Sequence, residues 1–309
     1  MSKPDFSIVI PTFERMDVLP EVLEAVDDQD TGAAFEVVVV DDGSRDGTAS
    51  FLRSWRAVHP FRVLRQENRG PAAARNAGVA AARGRRVAFL GDDTVPASDW
   101  LAAHDRTREE DPGTGPVAVL GYTRWHPRIR RTRFLEFINE EGLQFGYGLI
   151  DDPEDVPFNF FYTSNISLPR ALLLEEPLDE GFPYPAWEDT ELAYRLTRRL
   201  GLRIVYEPKA VTLHDHPTDF DRFCDRQEKA GYSAVVFYRL HPELGDFLGI
   251  GNGGPPPVPS RVPQVLRELL VRALQSFPVS LPRIWQEALR YHYILGLRRG
   301  WRELGGAKA

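Results

Sequence analysis

The sequence contains very little cysteine and no long hydrophobic run. Cys224 is its single cysteine, so the chain can form neither an intramolecular disulfide nor a zinc site built on cysteines. This usage is typical of a reducing compartment, and we expect the cytoplasm. No stretch approaches the roughly 20 apolar residues that span a bilayer, and the N-terminal segment has no apolar signal core. We therefore expect a soluble protein that is at most peripheral to a membrane.

An excess of positive charge is also lacking. The formal net charge is -7 at pH 7, which argues against nucleic acid as the main partner, because neutralising phosphates requires a basic surface. With 309 residues, 42% of them hydrophobic, the chain is long enough for a catalytic domain with an extension. We place these at 1–217 and 218–309, with a Gly/Pro-rich break at 249–260.

Short apolar runs alternate with helical patterns over the first half of the chain. The runs cover 6–10, 35–40, 61–65 and 85–90, and the helical patterns cover 18–28, 45–58, 71–83 and 98–109. This alternation predicts an α/β fold with a parallel sheet and helices on both of its faces. Further strands are predicted at 117–125, 161–169, 202–208 and 210–216, and further helices at 132–147, 188–200, 218–241, 262–277 and 281–303.

Polar residues follow three of the predicted strands. They are Pro11-Thr12 after the first strand, Asp41-Asp42 after the second and Gly91-Asp92-Asp93 after the fourth. Ligands bind beyond the carboxyl ends of strands in open α/β sheets, so we expect these segments to meet at one edge. Two adjacent carboxylates repel each other, and a divalent cation would compensate the pair Asp92-Asp93. The alternative is an ordinary solvated turn.

Six segments, in order and spacing, resemble family 2 glycosyltransferases with the GT-A fold. They are SIVIPTFER, VVVVDDGSRDGT, NRGPAAARNAG, VAFLGDDTVP, TSNISLPR and WEDTELAYRL. The resemblance covers about residues 5–217, and the region after 218 resembles the helical tails of bacterial members. It implies inverting, metal-assisted transfer of a sugar from a nucleotide-diphosphate donor, with UDP-sugars favoured, to a hydroxyl acceptor. The acceptor would be a glycan, a glycolipid or a small metabolite. The alternative is a sugar-nucleotide-binding protein that has lost turnover.

The resemblance also implies roles for individual residues. Those on the donor nucleotide side are Pro11, Thr12, Glu14, Asp41, Arg75 and Asp92. Asp93 would hold Mg²⁺ or Mn²⁺ together with a histidine of the predicted strand 210–216. His214 and His216 alternate there and point the same way, and we favour His214. Gly91 stands where the common D-x-D form of the metal motif has its first acid.

A second group of acids lies at the start of the predicted helix 188–200. The resemblance makes Asp189 the general base that takes the proton of the acceptor hydroxyl, with Trp187 and Glu188 on the acceptor side. Each has an ordinary alternative, since acids are common at helix starts and Trp187 could be a core residue.

Residues 279–302 mix apolar and aromatic residues with five arginines. A basic amphipathic helix of this kind can lie on an anionic membrane. The alternatives are that its apolar face packs on its own domain or in a homodimer.

Overall fold

The eight strands of the computed structural model form one mixed sheet. The structure describes residues 3–110, 113, 115–251, 254–274 and 279–305. The strands are β1 (Phe6–Thr12), β2 (Phe35–Asp41), β3 (Phe61–Arg65), β4 (Arg86–Leu90), β5 (Thr94–Pro96), β6 (Val117–Trp125), β7 (Asn165–Pro169) and β8 (Arg203–His214). Their order across the sheet is β3-β2-β1-β4-β7-β6-β8-β5.

The helices divide between two compact units. The first unit comprises Met1–Ile129, Phe145–Glu180 and Asp189–His216, and the second comprises Arg130–Gln144, Gly181–Glu188 and Pro217–Ala309. The helices of the first unit are α1 (Leu19–Asp27), α2 (Thr48–Ser54), α3 (Pro71–Ala81), α4 (Trp100–Glu110), α6 (Arg170–Glu175) and α7 (Glu188–Leu200). The first residue of α7, Glu188, belongs to the second unit. The second contains α5 (Arg133–Glu140), α8 (Phe220–Leu240), α9 (Arg261–Leu274) and α10 (Pro282–Leu304). The division at residue 217 into two domains stays a prediction.

The parallel half of the sheet follows from its apolar runs. Strands β1 to β4 are mutually parallel where they pair. Successive residues of a strand face opposite sides, and here both sides are buried: Val9 and Val38 pack in one core, and Ile8 and Val37 pack in another. Strand β7 runs antiparallel to its neighbours β4 and β6, so the sheet as a whole is mixed.

Several predicted boundaries differ from the structure. The segments 202–208 and 210–216 belong to one strand, β8, whose pairing with β6 is irregular between Gly121 and Tyr122. Helix α2 begins at Thr48 because the Asp46 carboxylate accepts the hydroxyl and the backbone N–H of Thr48, which forms a turn before the helix. The aromatic helix expected at 132–147 ends at Glu140, and the strand expected at 161–169 begins only at Asn165.

Helices α8 and α10 of the second unit cross in close contact. A Cβ on Gly231 would lie 2.0 Å from the Tyr293 carbonyl oxygen, and one on Gly296 would lie 1.9 Å from the Glu228 carbonyl oxygen. Glycine at both positions therefore lets the two backbones touch. The apolar residues predicted for a membrane or subunit face on α10, such as Leu289, are buried within this unit.

The predicted Gly/Pro-rich break lies between α8 and α9. Within it residues 252–253 lie outside the described residues, as do residues 275–277 of the predicted helix 262–277. In the parts of the chain that the structure describes, no helix has both the length and the apolar character needed to cross a membrane.

A buried histidine makes the stability of the first unit depend on pH. His104 of α4 is fully buried, with its Nε2 3.1 Å from the Asn165 Oδ1. Burial lowers the pKa of His104 to about 4, and the neighbouring Arg86 charge acts in the same direction. Because the folded state disfavours the protonated ring, its contribution is complete above about pH 6.5 and is lost as the pH falls towards 4.

We therefore expect His104→Gln to flatten this pH dependence. Between pH 6.5 and 4 the free energy of unfolding of the wild type should fall by up to about 3 kcal/mol more than that of the variant. Urea unfolding of both proteins over this range measures the difference. Equal pH slopes would show that His104 does not titrate with folding.

Candidate active site

The three polar strand ends meet at one edge of the sheet. Thr12 at the end of β1 pairs with Asp41 at the end of β2, and the Asp42 N–H donates to the Thr12 carbonyl oxygen at 2.9 Å. The Phe13 N–H donates to the Asp92 Oδ2 at 3.3 Å. These contacts bring together the polar residues that follow β1, β2 and β4, as parallel strands predict.

The adjacent carboxylates of Asp41 and Asp42 have different surroundings. Asp42 accepts the backbone N–H of Gly70 at 2.8 Å, so it fixes the loop before α3. Asp41 is buried, and its Oδ1 accepts the Ser44 N–H at 2.9 Å. The Asp41 Oδ2 lies 3.3 Å from the Arg65 guanidinium but makes no hydrogen bond within the described ranges. Asp41 therefore has an acceptor oxygen left for a ligand.

Asp92 and Asp93 form an acidic pair with unequal proton affinities. Arg15 lies beside both, with Nε 3.6 Å from the Asp92 Oδ1 and Nη2 3.4 Å from the Asp93 Oδ2. Burial, and next the Asp93 charge, raise the pKa of Asp92 to about 7. Burial opposes ionisation of Asp93 too, but hydrogen bonds with His214 and His216 hold its pKa well below the usual range. Asp93 is therefore the member of the pair that ionises more readily.

The end of strand β8 and the two residues after it bring both candidate histidines to Asp93. The His214 Nε2 lies 3.6 Å from the Asp93 Oδ1, and the His216 Nδ1 lies 3.3 Å from the Asp93 Oδ2. The strand is fixed there because the Asp215 N–H donates to the Asp93 carbonyl oxygen at 2.7 Å. His214 is buried against the rings of Trp125 and Phe145, whereas His216 is more exposed.

These side chains suit a divalent cation whose remaining ligands come from a bound substrate. In the described parts of the chain, no three His, Cys, Asp or Glu side chains form a metal site of their own. Mg²⁺ is commonly bound by one or two carboxylates plus substrate phosphate oxygens, and a neutral imidazole is a usual ligand of transition metals. The Asp93 oxygen and the His214 nitrogen that face each other therefore fit a cation whose other ligands come from a diphosphate.

Gly91 occupies the position at which the D-x-D form of the metal motif has its first acid, and a side chain there would lie close to its neighbours. A Cβ built there would lie 2.5 Å from the Thr94 Oγ1 and 3.2 Å from the Asp93 Oδ1. Thr94 is fully buried, and its hydroxyl lies 3.3 Å from the same carboxylate oxygen. A side chain at position 91 would therefore require the buried Thr94 side chain to move.

Residues 163–164, which precede β7, connect Asp189 by hydrogen bonds with the turn that carries Asp92 and Asp93. It lies in the first turn of α7 and accepts the Thr190 N–H at 2.8 Å and the Thr163 N–H. Burial raises the pKa of Asp189, and the Arg75 charge opposes this rise. The neighbouring Ser164 carbonyl oxygen accepts the Gly91 N–H at 3.1 Å. The first unit therefore brings Asp189 and Arg75 to the edge that carries Asp92 and Asp93.

Two of the other residues predicted on the donor side lie in and after β1. Pro11 is half-buried and pairs with Val40. Glu14 has an exposed side chain and a left-handed backbone with φ 53°. Its N–H donates to the Ser44 Oγ at 2.9 Å, so the observed role of Glu14 is to join the loops after β1 and β2.

The two residues predicted on the acceptor side belong to the second unit. The Trp187 Nε1 donates to the Ala230 carbonyl oxygen at 3.0 Å, and its ring contacts Phe237 and Phe247. These are the contacts of a packed aromatic residue, the alternative that the sequence left open. Glu188 is buried at the first position of α7.

Sequence reasoning missed Arg15 and the Thr163 backbone. Arg15 is the third residue after β1, so the same strand-end argument that selected Thr12 could have found it. Thr163 could not be found in this way, because β7 is antiparallel to β4 and reaches the edge at its beginning instead of its end.

The mixed sheet and the helices that flank it have the GT-A fold. The solved structure of the mannosyltransferase PcManGT from Pyrobaculum calidifontis has this fold, with a TM-score of 0.63 and 20% sequence identity over 98% of this chain and 88% of that chain. The pattern of the family described as "Glycosyl transferase family 2" matches residues 7–167, and the chain belongs to this family.

Curated relatives are glycosyltransferases of different lengths. The "Uncharacterized glycosyltransferase YfnE" of Bacillus subtilis (strain 168) is 27% identical, over 85% of this chain and 78% of that protein. The chondroitin synthase of Escherichia coli is 26% identical over 71% of this chain, which spans only 36% of the length of the synthase. The predictions of family, α/β GT-A fold and glycosyltransferase class are confirmed.

Proposed function

We propose that this chain is an inverting transferase that moves a sugar from a nucleotide-diphosphate donor, with UDP-sugars as the leading class, to a hydroxyl acceptor. One observation carries the proposal: residues 163–164 link Asp189 to the turn that holds Asp92 and Asp93, by hydrogen bonds to Asp189 and to Gly91. Inverting transfer needs a base near the anomeric carbon and a separate group on the departing diphosphate, and residues 163–164 hydrogen-bond to the parts of the chain that would supply both.

On the donor side, Asp41 and Thr12 support recognition of the nucleotide. The Asp41 carboxylate is buried and has an oxygen without a hydrogen bond within the described residues, so it can accept the imide N–H of a pyrimidine. Such a charge-assisted bond is stronger than one between neutral groups. Arg75 would add positive charge beside the donor, and Asp92 would contact the ribose.

Asp93 and His214 are the residues that would hold a divalent cation. When bound, the cation neutralises charge that develops on the departing diphosphate. The structure of PcManGT holds GDP-Man and Mn²⁺, which supports a metal of this kind and makes guanine the base to compare with uracil. Arg15, which contacts both acids here, supplies positive charge from the chain itself.

Asp189 would act as the general base. Its burial raises its pKa, which makes the ionised carboxylate a better proton acceptor than an exposed aspartate. The N–H groups of Thr163 and Thr190 fix the carboxylate, so that it can take the proton of the acceptor hydroxyl. The acceptor itself would be a glycan, a glycolipid or a small metabolite.

A thermal-shift panel tests the donor side of the proposal. We expect one of UDP and GDP to raise the unfolding midpoint in Mn²⁺ by roughly 5 °C or more at saturating concentration, and less in EDTA, because a ligand of the native state stabilises it by mass action. No shift with any nucleoside diphosphate would contradict the proposal. A metal-dependent shift without sugar transfer or donor hydrolysis would instead favour the alternative of a binding protein without turnover.

A further inference from the structure

Helix α9 presents its apolar side to solvent. Five of its aliphatic side chains are between 41% and 69% exposed: Val262, Val265, Leu266, Leu269 and Leu270. Their spacing of three and four residues places them on one side of the helix. They therefore form a continuous apolar stripe, which we call the α9 stripe.

The opposite, more polar side of α9 faces the protein. Gln264 is buried, and its Nε2 donates to the Glu268 Oε1 at 2.7 Å. The same oxygen lies 3.1 Å from the His292 Nε2 of α10, and Arg267 forms an ion pair with Glu287 of α10. A surface helix of a globular protein normally buries its apolar side and exposes its polar side. Helix α9 does the reverse, which indicates a partner for the stripe outside the residues that the structure describes.

The area of the α9 stripe is too small for a stable contact with a second copy. A helix of 14 residues is about 21 Å long at 1.5 Å per residue. A stripe about 10 Å wide on it offers roughly 200 Å², whereas stable protein interfaces bury about 800 Å² on each partner.

The charge around the stripe fits an anionic surface. Residues 258–283 contain four arginines and one acid, Glu268, although the whole chain has a net charge of -7. Arg261 and Arg283 are exposed, whereas Arg272 is partly neutralised by Asp221 at 3.0 Å. An apolar stripe with flanking arginines matches the interface of a membrane with anionic lipids, where acyl chains meet phosphate groups.

We propose that α9 docks this protein on the surface of an anionic phospholipid membrane. The α9 stripe enters the boundary between headgroups and acyl chains, and Arg261 and Arg283 contact the lipid phosphates. The proposal rests on the second unit alone and does not depend on the sugar-transfer chemistry. It differs from the prediction made for residues 279–302, because the apolar side of α10 is buried.

Flotation of the full chain with vesicles tests the proposal. We expect it to float with vesicles of phosphatidylglycerol and phosphatidylcholine at low salt, and less at high salt or with phosphatidylcholine alone. The double variant Leu266→Gln/Leu269→Gln should reduce the partition coefficient roughly tenfold or more, and Arg261→Gln/Arg283→Gln should do so only with anionic vesicles. The control Leu174→Gln, on α6 of the first unit and 51% exposed, should float like the wild type.

Three results would overturn the proposal. One is a wild-type chain that does not float, and another is a leucine variant that floats as well as the wild type. The third is a wild-type dimer in light scattering that the leucine variant converts to a monomer, without flotation of either protein, since a second copy would then cover the stripe. Unchanged unfolding midpoints of the variants exclude misfolding, because the substituted side chains are exposed.

Discussion

Asp189→Asn is expected to reduce kcat/KM for sugar transfer by about 10²–10⁴ while nucleotide binding is retained. Asparagine has nearly the same shape, and its side-chain oxygen can still accept the Thr190 N–H that the Asp189 Oδ1 accepts. It cannot take a proton from the acceptor hydroxyl. Initial rates of transfer and the nucleotide-induced thermal shift, measured on the same preparations, separate the loss of the base from a loss of binding.

Asp28→Asn is the matched control for this experiment. Asp28 is exposed after the end of α1 and lies outside the residues assigned to the site, so its variant should keep wild-type rates. An Asp189→Asn protein with wild-type kcat/KM would show that Asp189 is not the base. The anomeric configuration of the product, determined by NMR, independently tests inversion.

Asp93→Asn is expected to abolish the additional nucleotide binding that Mn²⁺ provides. Asparagine removes the charge of the acid that faces His214 and His216, and with it the principal ligand proposed for the cation. A metal contributes several kcal/mol of charge stabilisation, so the transfer rate should fall roughly 10²–10³-fold. Calorimetric titration of nucleoside diphosphate into the wild type and the variant, with Mn²⁺ and with EDTA, measures the binding part directly.

The same Asp28→Asn variant should retain metal-dependent binding in this titration. The assignment of Asp93 as a ligand of the cation predicts two results for Asp93→Asn. The variant should bind nucleotide equally well with Mn²⁺ and with EDTA, and its affinity should equal that of the wild type in EDTA. If instead Mn²⁺ strengthened nucleotide binding to the variant as much as to the wild type, Asp93 would not be a ligand of the cation.

The parallel half of the fold could be predicted because its strands are buried on both faces. A doubly buried strand reads as a continuous apolar run, and 35–40 is the clearest example. Strand β5 could not be found in this way, since it has only three residues and depends on pairing with β8. Helix α6 has only six residues, too few to show a helical period.

The residues of the candidate site could be predicted only on strands whose direction follows from the alternation of strands and helices in the sequence. Alternating strands and helices make β1, β2 and β4 parallel, so their carboxyl ends had to meet and the positions of Thr12, Asp41 and Asp92 followed. Nothing local fixes the direction of β7, so the backbone contact of Thr163 with Asp189 depends on tertiary structure. The surroundings of Trp187 likewise depend on contacts with α8, more than 40 positions along the chain.

The turn at Gly91 restricts how the acidic motif of this protein can evolve. A single substitution that introduced aspartate at position 91 would place its Cβ 2.5 Å from the Thr94 Oγ1, in a turn whose Thr94 is already buried. An aspartate at position 91 would therefore require the buried Thr94 side chain to move or to be replaced by a smaller one. We therefore expect the free-energy cost of aspartate at position 91 to depend on which residue occupies position 94.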